Sequence, residues 1–296
     1  MNKKKYFTVL GGILLVFLAV MCGVLTARFM VSPFLLGEHG GALSVLRHGD
    51  DENILVVGLD KVGYNTDVLM IVNIDAQSHK INLLSVPRDT RVSVGSSNQK
   101  INAVYSYAQR NGLKKEEQLI SAVTDATGIP IHHYAVIDLE GFRKIIDALG
   151  GVQFNVERDY YYNDPVQNLL IDIKKGNQVL NGKQAEGLIR FRADYALGDL
   201  QRIGVQQQFL TSLISQKLRP EYIGKIPELY DILTDNVVSD LSASNITKYA
   251  KRALKASNGI NTATLPGTTK TINGLSYFLC DKAETEKMLE NNYSEE

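Results

Sequence analysis

Cysteine is nearly missing from this chain, and the two that occur are not expected to meet. Cys22 lies inside a long apolar run near the start, and Cys280 lies near the other end. No structural disulfide is therefore expected. Zinc is also poorly served. His132 and His133 are adjacent, with no cysteine or His/Glu constellation around them. An excess of one charge is lacking too. The 32 basic and 32 acidic residues balance, so no nucleic-acid footprint is suggested. There is no GxxxxGKS/T cradle, which disfavours a P-loop nucleotide enzyme. There is no GxSxG elbow either. No internal repeat and no low-complexity tail is visible.

What is there begins at the N-terminus. Lys3, Lys4 and Lys5 precede an apolar run from about Tyr6 to Ala27. Roughly 20 apolar residues suffice to cross a bilayer as a helix. The lysines favour a cytoplasmic N-terminus. A cleaved signal peptide is the rival reading, since it too starts basic. This run exceeds the usual signal-peptide core, and no clean small-x-small site precedes a polar start. A buried soluble helix is disfavoured because the run has no polar face. The sequence thus predicts a basic tail (1–5), a transmembrane helix (6–27), a stem (28–52) and one large outside domain (53–296). Pro33 and Gly37, Gly40, Gly41 and Gly49 mark the stem. The remainder, roughly 240 residues, suits one domain with a substantial core.

Three dense apolar runs open that domain: Asn53–Leu59, Asp67–Ile74 and Lys80–Val86, the last stopped by Pro87. They read as strands covered on both faces. Helices are predicted over Ile101–Gln109, Lys115–Thr127, Leu139–Leu149, Gln184–Phe191, Gln201–Leu218 and Ser244–Ala256. Further strands are predicted over His133–Ile137, Val152–Val156 and Ile260–Leu265. Glu157–Asn168 reads as a more polar patch. Intermingled strands and helices imply an α/β domain, with helices on both faces of a mixed central sheet.

The informative residues are charges at the ends of apolar runs. Arg88 and Asp89 follow LLSVP, where Pro87 turns the chain out of the sheet. Carboxyl ends of strands are where open α/β sheets bind ligands. The plainer reading is an Arg88–Asp89 surface pair or a local cap. Asp60 closes the first strand and Asp67 opens the second across KVGYNT. Both carboxylates together suit Mg²⁺ with waters and phosphate. The plainer reading is a turn at Asp60 and a cap at Asp67.

The densest cluster is LIRFRADYALGDLQRIGVQQQFL. Arg190 and Arg192 flank Phe191 and would point the same way in an extended segment. Helical spacing puts Asp199, Arg202 and Gln206 on one face. Converging guanidiniums suit a multiply charged phosphate. A network of solvent-facing ion pairs is the alternative. Phosphoryl transfer needs charge neutralisation and alignment more than an exotic cofactor. A tethered domain with a phosphate cage suits a lipid-linked phosphate.

The chain resembles the LytR–CpsA–Psr (LCP) family of bacterial cell-envelope glycopolymer ligases. The resemblance rests on NILVVGLD, NTDVLMIVNID, INLLSVPRDT, KINAVYSYA, GIPIHHYAVIDLEGF, DALGGVQFNV, LNGKQAEGLIRFR and DLQRIGVQQQFL, in family order over about Asn53–Leu218. It implies transfer of a glycan with its proximal phosphate from undecaprenyl pyrophosphate to peptidoglycan, at the 6-hydroxyl of N-acetylmuramic acid. Undecaprenyl phosphate is released. Teichoic acids and capsular polysaccharides are typical glycans. The resemblance also implies an arginine-lined pyrophosphate pocket, Mg²⁺, an apolar groove for the polyprenyl chain, and anchoring in the cytoplasmic membrane with the domain outside.

By the same resemblance, Asp67 takes the metal-associated position and Asp60 the nearby acidic one. Arg88, Arg190, Arg192 and Arg202 are the phosphate-binding and catalytic arginines, with Gln206 beside them on the substrate. Asp199 either accepts the muramic hydroxyl proton or orients Arg202. One departure stands out: many relatives carry RTD where this chain has NTD, so Asn65 replaces an arginine. That bears on substrate preference and rate more than on reaction class. Family members are often labelled transcriptional attenuators, and a non-catalytic polyprenyl-pyrophosphate or wall-polymer binding protein is the alternative function. A neutral outside domain has no clear route to DNA.

Overall fold

The computed structural model describes residues 52–60, 65–75, 79–95, 97–164, 169–192, 199–217, 222, 229, 232, 235–253 and 259–290. The basic tail, the expected span and all of the stem but its last residue lie outside these. Among the described residues no helix is long and apolar enough to cross a membrane. The described residues divide into two compact units, one within 52–136 and 259–290, the other within 137–253.

The first unit is built on β1 (Asn53–Leu59), β2 (Thr66–Asp75) and β3 (Lys80–Ser85), joined antiparallel. β6 (His133–Ile137) lies beside β1, and β12 (Ile260–Thr264) runs parallel to β3. The sheet is therefore mixed, as expected. Its strands are rich in Val, Ile and Leu because both faces are buried: Leu55, Val57, Leu69 and Ile71 on one, Ile54, Met70, Val72 and Ile81 on the other.

The first of those faces packs against α1 (Val104–Arg110) and α2 (Lys115–Thr127), through Val104, Tyr105, Leu119 and Val123. α2 starts with Glu116 and Glu117, which favour the positive end of the helix dipole. It stops at Gly128, whose φ of 69° needs a residue without a Cβ and whose N–H caps the Thr124 carbonyl at 2.7 Å. The hairpin β4 (Arg91–Val94) and β5 (Ser97–Lys100) precedes α1. A second hairpin, β13 (Gly267–Ile272) and β14 (Leu275–Cys280), and α7 (Lys282–Glu290) complete the unit.

Four asparagines fix the register of the sheet. Asn53, Asn73, Asn82 and Asn261 stand directly opposite one another in successive strands. Each amide donates to the next: Asn261 to Asn82 at 2.8 Å, Asn82 to Asn73 at 3.4 Å, Asn73 to Asn53 at 3.1 Å. Asn53 ends the row on the Pro130 carbonyl at 2.8 Å. A one-residue slip would leave buried amides unsatisfied.

The second unit contains α3 (Leu139–Ala148), β7 (Val152–Val156), β8 (Tyr160–Asp164), β9 (Leu169–Ile173), β10 (Gly176–Leu180) and α4 (Gly182–Arg190). α5 (Asp199–Lys217), β11 (Val237–Ser239) and α6 (Ala243–Ala253) follow. β7 pairs with β10 and β8 with β9, both antiparallel. Asp138 caps α3 through Gly141 N–H at 2.7 Å. Asn181 and Gln184 form a reciprocal capping box on α4. A Cβ on Gly182 would lie 2.3 Å from the Arg143 carbonyl, so only glycine lets α4 start this close to α3. Phe209 of α5 packs against Phe142 and Phe154, centroids 6.1 and 5.8 Å away.

Candidate functional site

In the first unit the site residues gather where β2 begins and β3 ends. Pro87 closes β3, and Thr90 N–H donates to its carbonyl at 2.9 Å, forming a turn through Arg88 and Asp89. On β2, Gly58 pairs with Val68 and Leu59 with Thr66, so Asp67 is the extra residue of a β-bulge. A bulge re-aims a side chain at a strand end. Met70 faces Ser85, and the register continues through Val86 N–H to the Leu69 carbonyl at 2.9 Å. Two further steps along each strand bring Asp67 level with Arg88.

Arg88 Nη1 donates to Asp67 Oδ1 at 2.8 Å, with the two side chains 18% and 15% exposed. The closer carboxylate is thus Asp67, across the sheet, and not the sequence neighbour Asp89 at 4.0 Å. Asp89 has a second cation, Lys100 Nζ at 3.1 Å. Charge here is concentrated at one end of an otherwise apolar sheet, where water screens it less than on an open surface.

Asp60 and Asn65 are hydrogen-bonded to each other. Asn65 Nδ2 donates to Asp60 Oδ2 at 3.1 Å, and Asp60 N–H donates to the Asn65 carbonyl at 2.8 Å. Asn65, the departure from the expected arginine, therefore orients Asp60. Both carboxylates already accept from a protein donor. A carboxylate has lone pairs for more than one partner. All-oxygen donors of this kind fit Mg²⁺, which takes one or two carboxylates and completes its shell with phosphate and water. Among the described residues no group of three or more His, Cys, Asp or Glu gathers as a ready-made metal cage.

In the second unit the arginines occupy distinct environments. Arg190 is the last residue of α4, and Phe191 leaves the helix in an extended conformation. The two arginines flanking Phe191 therefore do not share an extended segment. Arg190 is 11% exposed and Arg192 is exposed. Arg190 Nη1 reaches Glu186 Oε1 at 2.7 Å, one helical turn back. Arg143 Nη1 reaches the other oxygen, Oε2, at 3.1 Å. Glu186 is thus a buried carboxylate clamped by two guanidiniums. The triad keeps a formal surplus of one positive charge.

Arg202 and Gln206 share one face of α5, as their spacing requires, and that face is buried: 1% and 5% exposed. Gln206 Nε2 donates to the Ile189 carbonyl at 2.9 Å, tying α5 to the end of α4. Asp199 is the first residue of α5; its side chain lies outside the description. Sequence reasoning missed Glu186, Arg143 and Lys100. Glu186 was legible as an acidic residue four before Arg190; Arg143 and Lys100 depend on tertiary contacts.

Residues 36–294 match the model of the LytR_cpsA_psr family. An Oceanobacillus iheyensis protein named polyisoprenyl-teichoic acid–peptidoglycan teichoic acid transferase TagU is 28% identical over 304 residues, covering 97% of this chain and 93% of its own. The Staphylococcus aureus regulatory protein MsrR is 35% identical over 200 residues, 66% of this chain and 58% of its own, so this chain spans less than two thirds of that relative. The crystal structure of Bacillus subtilis TagV superposes with a TM-score of 0.67 at 28% identity, covering 81% of this chain and 94% of that one. The chain belongs to the LytR_cpsA_psr family.

Proposed function

We propose that this family member is a membrane-anchored phosphotransferase. It moves a glycopolymer with its proximal phosphate from undecaprenyl pyrophosphate to the 6-hydroxyl of N-acetylmuramic acid in peptidoglycan. The anchor is the apolar run 6–27, with the N-terminus in the cytoplasm and the domain outside. The observation that carries the reading is the Arg88–Asp67 pair at 2.8 Å, a cation held by a carboxylate at the carboxyl end of a buried strand. The name of the Oceanobacillus relative, matched over nearly its whole length, supports the same chemistry.

In this reading the muramic oxygen attacks the glycan-side phosphorus. A new P–O bond forms, the bond to the bridging oxygen breaks, and undecaprenyl phosphate leaves. Arg88, Arg190, Arg192 and Arg202 hold phosphate oxygens and stabilise the charge that builds in transfer. Gln206 sets the end of α4 that carries Arg190. Asp67 and Asp60 would hold Mg²⁺, which when bound neutralises diphosphate charge. Asp199 takes the hydroxyl proton or orients Arg202.

A second reading, binding of lipid pyrophosphate or wall polymer without transfer, draws on Asn65 in place of the arginine. One experiment separates them. The purified chain is incubated with lipid-linked glycan, peptidoglycan and Mg²⁺. Transfer yields a wall phosphodiester and undecaprenyl phosphate, and Arg88→Ala slows both by roughly 10²–10³. Donor binding with no product from any acceptor would establish the second reading. In the same assay Asp199→Asn collapses transfer with donor affinity intact if Asp199 takes the proton. It weakens donor affinity as well if Asp199 only orients Arg202.

A further inference from the structure

The backbone on both sides of Arg190 is fixed. Gln206 Nε2 holds the Ile189 carbonyl at 2.9 Å. Phe191 is buried, its ring edge-on to Tyr160 with centroids 4.9 Å apart. What remains to be placed is the head of a long side chain with many rotamers open to it. Glu186, one turn back on α4, places that head: Arg190 Nη1 lies 2.7 Å from its Oε1.

A carboxylate and a guanidinium left to themselves favour two parallel hydrogen bonds. That geometry would turn the arginine fork onto Glu186 and cancel its charge. The triad does neither. Arg143 Nη1 holds the second oxygen, Oε2, at 3.1 Å. Each guanidinium therefore meets one oxygen, and the three groups together keep a formal charge of +1. The rest of the Arg190 fork stays outside this clamp.

α3 and α4 are joined without the triad. A Cβ on Gly182 would collide with the Arg143 carbonyl, and Gly182 N–H donates to Asp147 Oδ1 at 2.7 Å. The same close approach seats Arg143 within reach of Glu186. A buried ion pair stabilises a fold little more than apolar side chains of similar volume would. Glu186 is 8% exposed and Arg190 11%. What a buried charge adds here is a fixed direction for Arg190, and a guanidinium aimed in advance loses less freedom when it takes up phosphate.

We propose that Glu186 and Arg143 are positioning residues for Arg190. Glu186 holds its guanidinium by one nitrogen, and Arg143, by occupying the other oxygen, keeps the pairing one-sided and the group cationic toward the donor diphosphate. The proposal rests on the phosphotransferase reading for its ligand, so binding and transfer are measured separately. Full-length protein in detergent with Mg²⁺ is titrated with farnesyl pyrophosphate, and transfer is followed with lipid-linked glycan and peptidoglycan. Arg143→Met keeps the aliphatic stem and loses the charge. It weakens pyrophosphate binding about tenfold and lowers kcat/KM for the donor by a similar factor, with KM for peptidoglycan unchanged. Arg143→Lys recovers most of both, because an ammonium still holds Oε2. In an Arg190→Met background, Arg143→Met costs nothing further, since its effect passes through Arg190. Arg143 is 42% exposed, and melting checks that each variant folds. A folded Arg143→Met with unaltered binding and transfer marks the triad as a strut between helices and overturns the proposal. Full additivity with Arg190→Met also overturns it, because Arg143 then meets the anion by itself. The expected cycle in binding, with no transfer by the unaltered chain, keeps the positioning role and sinks the phosphotransferase reading. No pyrophosphate binding by the unaltered chain sinks both.

Discussion

Arg88 and Asp67 are partners across the ends of neighbouring strands, Nη1 to Oδ1 at 2.8 Å, because a bulge places Asp67 where the register brings Arg88. The pair makes each residue's role depend on the other. Arg88→Ala removes a phosphate donor and leaves Asp67 without its guanidinium. Loss of one transition-state donor costs roughly 10²–10³ in rate. Asp67→Ala loses transfer and flattens the response to Mg²⁺. The two act as a unit, so the double variant falls well short of the product of the single losses. A double-mutant cycle on the transfer rate checks this; strictly multiplicative losses would show independent roles.

Glu186 is the second unit's counterpart. Its oxygens divide between Arg190 at 2.7 Å and Arg143 at 3.1 Å. Removing it leaves two guanidiniums facing each other, one of them largely buried. Breaking a buried pair from one side costs about 3 kcal/mol; the exposure of Arg143 lowers this figure. Glu186→Ala is therefore destabilised in denaturant titration, and Glu186→Gln less so, because the amide oxygen still accepts. Stability equal to that of the unaltered chain in Glu186→Ala would show that solvent already screens the triad.

Much of this was legible in the sequence where one physical signal dominated. NILVVGL was readable as β1 because burial on both faces leaves no polar alternation to confuse it. Lys115–Thr127 was readable because Gly128 and Pro130 stop it. The β8–β9 hairpin was not, since its open face makes Tyr160–Asp164 look like a polar patch. The β13–β14 turn carried a signal that went unused. Asn273 and Gly274 have φ of 51° and 78°, the paired positive values of a type I′ turn that an Asn-Gly sequence favours. At the site, spacing placed Arg202 and Gln206 on one helix face. Spacing alone does not reveal that this face is buried, or that Arg143 shares Glu186 with Arg190, since both depend on packing.

Alkaline pH tests the interior of the first unit. Burial pushes the Cys280 thiol up, with a smaller opposing effect from Thr285. Burial, then the hydrogen bond to Glu116, pushes the Tyr105 hydroxyl up. Both hold their protons in the fold at pH values where the unfolded chain releases them. Stability therefore falls as pH rises above the ordinary thiol and phenol values, about 8.5 and 10. In a Cys22→Ser background, iodoacetamide labels Cys280 more slowly than free cysteine at pH 8, and denaturant closes the gap. Labelling of the native chain at the free-cysteine rate would contradict the burial assigned to this thiol.

Asn65 gives the most specific handle on donor preference. It holds Asp60 through Nδ2 at 3.1 Å and through its own backbone carbonyl at 2.8 Å. Asn65→Ala keeps only the backbone bond, so Asp60 loses its orienting amide and the Mg²⁺ concentration for half-maximal transfer rises. Arginine at this position reaches further and carries five donors, enough to keep one on Asp60 and turn others toward phosphate. Asn65→Arg therefore lowers KM for the lipid-linked donor, by about tenfold for one added charge-assisted contact. The gain shrinks as salt is added, because part of it is exposed charge attraction. Initial rates against donor concentration at two ionic strengths read both effects. An arginine variant with the alanine variant's weakened Mg²⁺ response and no change in donor KM would show that residue 65 serves only to orient Asp60.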